Sequence, residues 1–251
     1  MKSIAIIIAN TEGLPGVDVD IKNITSFLTS VEGGAWHEND IITLKNSSRE
    51  SIKEELSTIK NVYDFVIVFF TGHGGQNKKT DLLFINGKNE YIKLEDINNL
   101  AFRQINIIDC CRSEVKDKEL SMLSESSIGL ESYPDDRFDK PSARLEYARR
   151  IMESSHQQVT LYACSENEYS AETKNGGLYM SSLINKASNF KKIDDAFMTV
   201  LSTHTSVASE VTSKAQSLGN KQNPDYASPR LPENEQLVIS INPRRSAHTF
   251  R

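Results

Sequence analysis

Two short segments carry side chains that could do covalent chemistry together. One apolar run, Phe65 to Phe70, ends in Thr71-Gly72-His73-Gly74-Gly75, and another, QINIID at 104–109, ends in Asp109-Cys110-Cys111-Arg112-Ser113. A histidine among glycines can be approached closely by another chain, and the glycine backbone permits the sharp turn that follows a strand. An imidazole beside a thiol takes its proton or holds it as thiolate, turning a weak nucleophile into a strong one. If backbone N–H groups of Gly74 and Cys111 receive the oxyanion that forms on an attacked carbonyl, the chemistry is acyl transfer to water. That chemistry requires the two segments to be neighbouring strands, so that His73 and Cys111 emerge at one rim.

Taken alone, the same residues leave other readings open. TGHGG resembles a phosphate-cradling loop, but it lacks the lysine and hydroxyl of a P-loop and the G-x-G-x-x-G spacing, which makes nucleotide binding the weaker alternative. A cysteine pair at a strand end is packing as readily as nucleophile. The three cysteines, Cys110, Cys111 and Cys164, are too few and too sparse for a disulfide framework or a four-ligand zinc site. On a strand end, adjacent Cys110 and Cys111 point to opposite faces, so that one is buried and the other meets solvent.

The elements that must position these groups alternate along the chain. Apolar runs at 3–9, 41–44, 64–70, 82–85, 104–109, 158–163 and 236–240 read as strands. Segments with helical period lie at about 18–31, 48–60, 94–100, 177–188 and 192–217. The strands are continuously apolar rather than alternating, which implies cover on both faces, and strands separated by helices imply a parallel, layered α/β sheet. In such sheets ligands collect beyond the carboxyl ends of the strands, which is where His73 and Cys111 fall. Ser113 to about Asp139 breaks the rhythm and reads as a long surface loop, and the basic segment 244–251 reads as a frayed tail.

Composition narrows the field of partners. The 251 residues suit one large domain or two small ones, and 29 Lys+Arg against 34 Asp+Glu give a net charge of −5, against a nucleic-acid or anionic-membrane binder. The apolar runs are far shorter than the roughly 20 residues of a membrane span. The run after Lys2 is also shorter than a secretory apolar region and reads as a buried strand, so a cytoplasmic protein is expected.

Five stretches, in order, resemble the caspase-like clan of cysteine peptidases, more the metacaspase branch than the animal caspases. They are GLPGVDVD at 13–20, TGHGG at 71–75, DCC at 109–111, ACSENEYSAE at 163–172 with NGGLYMSSLI at 175–184, and NKQNPDY at 220–226. The resemblance spans nearly the whole chain. It implies a three-layer sandwich, with a mostly parallel central sheet of about six strands and helices on both faces. A peptidase domain over 1–243 is expected, with a large-subunit-like part to about 115, a linker at about 113–142 and a small-subunit-like part from about 143.

Carried over by position, the resemblance makes His73 the base, Cys111 the nucleophile and Cys110 its buried neighbour. It places Asp20 and Asp109, with Thr71 close by, at the base of the pocket for the residue before the cut bond. Two recessed carboxylates favour a guanidinium or ammonium, so cleavage after arginine or lysine is expected, not after aspartate. Read from the residues alone, Asp20 also suits a helix N-terminus, as Asp18 does better. Asp109, ending an apolar strand, needs a partner.

Departures from the family pattern are Arg112 in place of the usual histidine, Glu114 in place of glycine, and a His73–Cys111 separation below the about 50 residues of caspases. No cofactor is required by this chemistry. Calcium stays open, with Asp117, Asp135 and Asp136 as available ligands but no recognisable loop motif. Arg137, Lys140, Arg144, Arg149 and Arg150 are either sites of maturation cleavage or a solvated helix face. A protein or peptide substrate and an activating partner or ligand outside the chain are expected, and a bacterial stress or defence role follows by analogy alone. The rival reading is a catalytically silent caspase-like module that binds proteins through its groove.

Overall fold

The apolar runs become strands because each is covered on both sides. The computed structural model describes residues 1–114, 139–190 and 196–242. In chain order the elements are β1 (Ser3–Ala9), α1 (Gly16–Thr29), β2 (Ile41–Lys45), α2 (Arg49–Ile59), β3 (Phe65–Thr71), β4 (Gly74–Asn77), β5 (Thr80–Phe84), β6 (Tyr91–Lys93) and β7 (Arg103–Asp109). There follow α3 (Lys140–Glu153), β8 (Gln157–Tyr162), β9 (Glu172–Thr173), β10 (Gly176–Gly177), α4 (Leu178–Ser188), β11 (Phe197–Thr199), α5 (Val200–Ser217), β12 (Asp225–Ala227) and β13 (Val238–Ile241). Helix starts follow capping chemistry: Ser48 accepts from Ser51 N–H before α2, Asp139 from Ser142 N–H before α3, and Thr199 from Ser202 N–H before α5.

The central sheet has the order β12-β8-β7-β3-β1-β2, parallel except for β12. Alternation divides the strand side chains between two cores. Ile7, Phe69 and Ile107 face α1, α3, α4 and α5. Ile8, Phe70 and Ile108 face α2 and the small antiparallel sheet β4-β5-β6. The expected three-layer α/β sandwich with about six central strands is therefore the architecture observed.

Five details differ from the sequence reading. The long helix expected from 192 begins only at Val200, because Phe197–Thr199 extend as β11 and Thr199 turns to cap the helix. The run at 236–240 becomes β13, which pairs antiparallel with β11 in a separate ribbon. The sixth central strand is β12, three exposed residues with no apolar signature, recruited by backbone pairing to β8. LLFI, read as a lone element, is the middle of the β4-β5-β6 sheet, and the helix at 94–100 is a 3-10 turn over Leu94–Ile97. Most of the expected surface loop, residues 115–138, and the tail at 244–251 lie outside the described residues. Among the described residues no helix is long and apolar enough to cross a membrane.

Two amides are buried in the central strand β7. Gln104, wholly inaccessible, accepts from Leu100 N–H at 2.7 Å and donates to Ile97 O at 2.6 Å and to Asn106 Oδ1 at 2.7 Å. This network fixes the connection that enters β7, and hence the strand that leads to Asp109 and Cys111. Gln104→Leu keeps the approximate volume but orphans those groups. Urea unfolding is expected to show a loss of about 3 kcal/mol, the cost of leaving buried polar groups unpaired.

Candidate active site

β3 and β7 are adjacent parallel strands whose final residues, Thr71 and Asp109, are register partners. His73 and Cys111 each follow two residues later, at the carboxyl edge of the sheet. Thr71 and Asp109 have the strand parity of Phe69 and Ile107, so they face the α1/α4 layer. The neighbouring-strand condition for joint His73 and Cys111 chemistry is thus met.

His73 accepts its orientation from the loop after β1: its Nε2 lies 2.6 Å from the Glu12 carbonyl oxygen. A carbonyl only accepts, so in the neutral ring Nε2 carries the hydrogen and Nδ1 holds the free lone pair. Nδ1 is buried and has no hydrogen-bond partner among the described residues. The ring therefore keeps one nitrogen lone pair uncommitted.

Cys111 is half-buried, with its Sγ 3.9 Å from the Ser170 carbonyl oxygen. Burial, and the nearby Asp109 carboxylate, push its thiol above the ordinary cysteine range. A thiol so disfavoured as thiolate needs a base to act as a nucleophile. Its backbone N–H has no partner among the described residues, as an oxyanion donor requires. Cys110 and Cys164 are buried; Cys164 Sγ lies 3.4 Å from Cys110 O, and the space over Gly74 is filled by the Cys110 side chain.

The expected acidic residues converge. Asp20 on α1 accepts from Thr71 Oγ1 at 2.6 Å and from Gly177 N–H at 3.0 Å. Asp109 accepts from Ser170 Oγ and from Met180 N–H at 2.8 Å. Both carboxylates thus meet the first turn of α4, whose N–H groups have no intrahelical partner. Burial raises both acids, Asp109 to about 6, and the neighbouring Asp109 charge raises Asp20 further. Asp18, by contrast, is exposed and pairs with Lys45 at 2.7 Å, in keeping with a helix-end acid.

Three contributors are not legible in the sequence. Glu172, on the β9-β10 ribbon opposite Gly177, accepts from Gly16 N–H, and its own pKa is raised by burial and by Asp109. Ser170 touches both Cys111 Sγ and Asp109. Gln222 donates to Ala163 O and accepts from Ala171 N–H, so it holds the segment that carries Ser170. The motif ACSENEYSAE marks this segment, but which of its side chains turn inward depends on an irregular loop with no periodicity to read.

The calcium candidates Asp117, Asp135 and Asp136 lie outside the described residues, and no group of three His, Cys, Asp or Glu side chains suited to a metal occurs among those described. Of the basic residues in and after the expected linker, Arg137 also lies outside. Arg144 donates to Ala35 O at 2.9 Å, and Arg149 and Arg150 pair with Glu146 at 2.6 and 3.0 Å within α3.

A six-stranded α/β sandwich with a histidine and a cysteine at the ends of neighbouring central strands defines a caspase-type hydrolase. The chain belongs to the caspase domain family, peptidase C14, which matches residues 2–235, and it is a cysteine-type peptidase. Its fold is similar to that of caspase-1 from Spodoptera frugiperda, with a TM-score of 0.56 and 14% identity over 90% of this chain and 88% of that one. No curated protein matches at a significant level.

The close approach of Asp109 to the α4 terminus depends on a missing side chain. A Cβ on Gly177 would stand 2.3 Å from Asp109 Oδ2, although the backbone there is unstrained for any residue. Gly177→Ala is expected to cost about 1–3 kcal/mol by overpacking, measured by urea unfolding.

Proposed function

We propose that the chain is an endopeptidase that hydrolyses peptide bonds after arginine or lysine. Cys111 acts as the nucleophile, His73 as the base, and Asp20, Asp109 and Glu172 line the pocket for the side chain before the cut bond. The observation that carries this reading is that Ser170 links the two halves: its carbonyl lies against Cys111 Sγ and its hydroxyl binds Asp109. A substrate whose carbonyl reaches the thiol therefore has its preceding side chain beside the acids.

On this reading His73 Nδ1 takes the thiol proton as sulfur attacks the carbonyl carbon. The N–H groups of Cys111 and Gly74 then receive the oxyanion. His73 next gives the proton to the departing amine, leaving a thioester. Water, deprotonated by the same nitrogen, attacks that thioester, and the acid product and free thiol are restored.

Fluorogenic peptides ending in arginine, lysine or aspartate provide the test. Hydrolysis of the basic peptides, lost by at least about a thousandfold in Cys111→Ala, is the expected result. Preference for the aspartyl peptide, or silence with no labelling of Cys111 by an arginyl thiol-reactive inhibitor, overturns the reading.

The raised acids give the pocket a pH signature. A guanidinium binds the ionised form, and Asp109 resists ionisation below about 6. The inhibition constant of a competitive guanidinium ligand is expected to weaken about tenfold per pH unit below that value, because binding must first expel a proton. Asp109→Asn is expected to weaken this dependence to what the buried Asp20 retains, along with most of the affinity.

Maturation in the linker is proposed at Arg137. Arg144, Arg149 and Arg150 are engaged in α3, and the bond after Lys140 leads into Pro141, at the start of the helix. Incubated wild-type protein is expected to yield fragments divided after residue 137, by mass spectrometry, while Cys111→Ala stays intact. Intact wild-type protein under conditions where peptides are cleaved excludes this step.

A further inference from the structure

The residue after the nucleophile is a buried arginine, and its surroundings are built around it. Residues 111–114 lie beyond β7, held by Arg112 N–H to Glu168 O at 3.0 Å, Asn167 N–H to Arg112 O at 2.9 Å and Gln76 N–H to Ser113 O at 2.8 Å. The Arg112 side chain, 8% exposed, makes a two-point fork on Asp81, itself 10% exposed: Nε to Oδ1 at 3.1 Å and Nη2 to Oδ2 at 3.2 Å. Nη1 donates to Cys164 O at 3.4 Å, and the guanidinium stacks 4.0 Å over the Tyr162 ring. Glu166 and Asp225 stand farther off, at 3.9 and 3.8 Å, on the exposed side.

Asp81 belongs to β5, and β5 also holds the histidine. Phe84 N–H donates to His73 O at 3.0 Å, and β4, which begins directly after His73, pairs with β5 along its length. Asp81 additionally accepts from Gln76 Nε2 at 2.8 Å, which braces the two hairpin strands. One short strand therefore grips the His73 segment through Phe84 and the Cys111 segment through Asp81.

We infer that the Arg112–Asp81 pair is a positioning device that sets the approach of His73 to Cys111. The inference rests on the dyad proposed above and adds the element that regulates its geometry. Alternatives to the pair are poor by chemistry. Lysine carries the charge but cannot form the planar fork; removing Asp81 leaves Arg112 only the more distant, exposed Glu166 and Asp225, and removing Arg112 leaves the Asp81 carboxylate buried without its cation.

The test uses Arg112→Lys, Asp81→Asn and, as a control on the exposed side, Glu166→Gln in the full chain. Three quantities are read: kcat and KM on an arginyl peptide, the pH profile of iodoacetamide alkylation at Cys111, located by mass, and the melting temperature. Arg112→Lys and Asp81→Asn are expected to lower kcat by about tenfold or more with KM within about threefold. Both should erase the low-pH limb of alkylation, in which His73 takes the thiol proton as sulfur attacks the reagent, while Glu166→Gln changes neither. Unchanged kcat and alkylation in both variants overturn the inference, as does a loss of kcat accounted for by the unfolded fraction at the assay temperature. If a variant fails to fold, the remaining one decides by the same criteria, and failure of both overturns the inference. Wild-type protein that shows the low-pH limb but cleaves no basic peptide refutes the proposed specificity and leaves the positioning role standing.

Discussion

The meeting of two carboxylates at the first turn of α4 is the constraint on which the rest of this rim depends. Helix starts leave N–H groups without partners, and here Gly177 and Met180 are served by acids from α1 and β7 rather than by a local cap. Because the acids come from different elements, the same bonds fix the helix against the sheet and against α1. Gly176 and Gly177 are what admit the carboxylates. A Cβ at Gly176 would stand 2.0 Å from Asp20 Oδ1, and that residue also has φ of +100°, a conformation that side chains disfavour. Burial keeps both acids reluctant to ionise.

Cys111 lies between this acidic recess and a buried cation, and the balance decides how its thiol can be activated. Asp109, two residues earlier, disfavours thiolate, and burial disfavours it more. Arg112, one residue later, carries a positive charge, but that charge is committed to Asp81 at both ends of the fork. Neither neighbour lowers the thiol. The proposed mechanism therefore assigns the task to His73, whose Nδ1 is freed by the Glu12 carbonyl on the other side of the ring.

The central strands, their parallel pairing and the rim that carries His73 and Cys111 were legible because continuous apolar runs and terminal polar residues are properties of short contiguous segments. Asp20 and Thr71 were legible only through family resemblance, since a helix-end acid and a strand-end threonine have many local explanations. β12 was invisible because backbone pairing alone recruits it, and DYA carries no hydrophobic pattern. Phe197–Thr199 looked helical because their apolar residues run smoothly into α5, and the capping role of Thr199 separates them. Glu172 and Asp81 illustrate the hardest case. Each acts through a partner far away in sequence, Gly16 and Arg112, and neither spacing nor composition signals such a pairing.

Hydrogen-bond capacity explains why the proposed recess should distinguish among charged side chains. An ionised carboxylate offers about four acceptor positions. Asp109 uses one on each oxygen, for Ser170 and Met180, and Asp20 directs Oδ2 to Thr71 while Gly177 N–H spans both oxygens. Acceptor positions therefore remain on both acids, and among the described residues no further donor fills them. A guanidinium brings five donors in a planar fork and can use them without displacing the bonds that hold α4, whereas an ammonium brings three from a single point. An aspartyl side chain brings none, and it would add a further negative charge to a site where Asp109 already raises the pKa of both Asp20 and Glu172. On this accounting the proposed specificity would place arginine before lysine, and the acids that anchor the helix would disfavour aspartate.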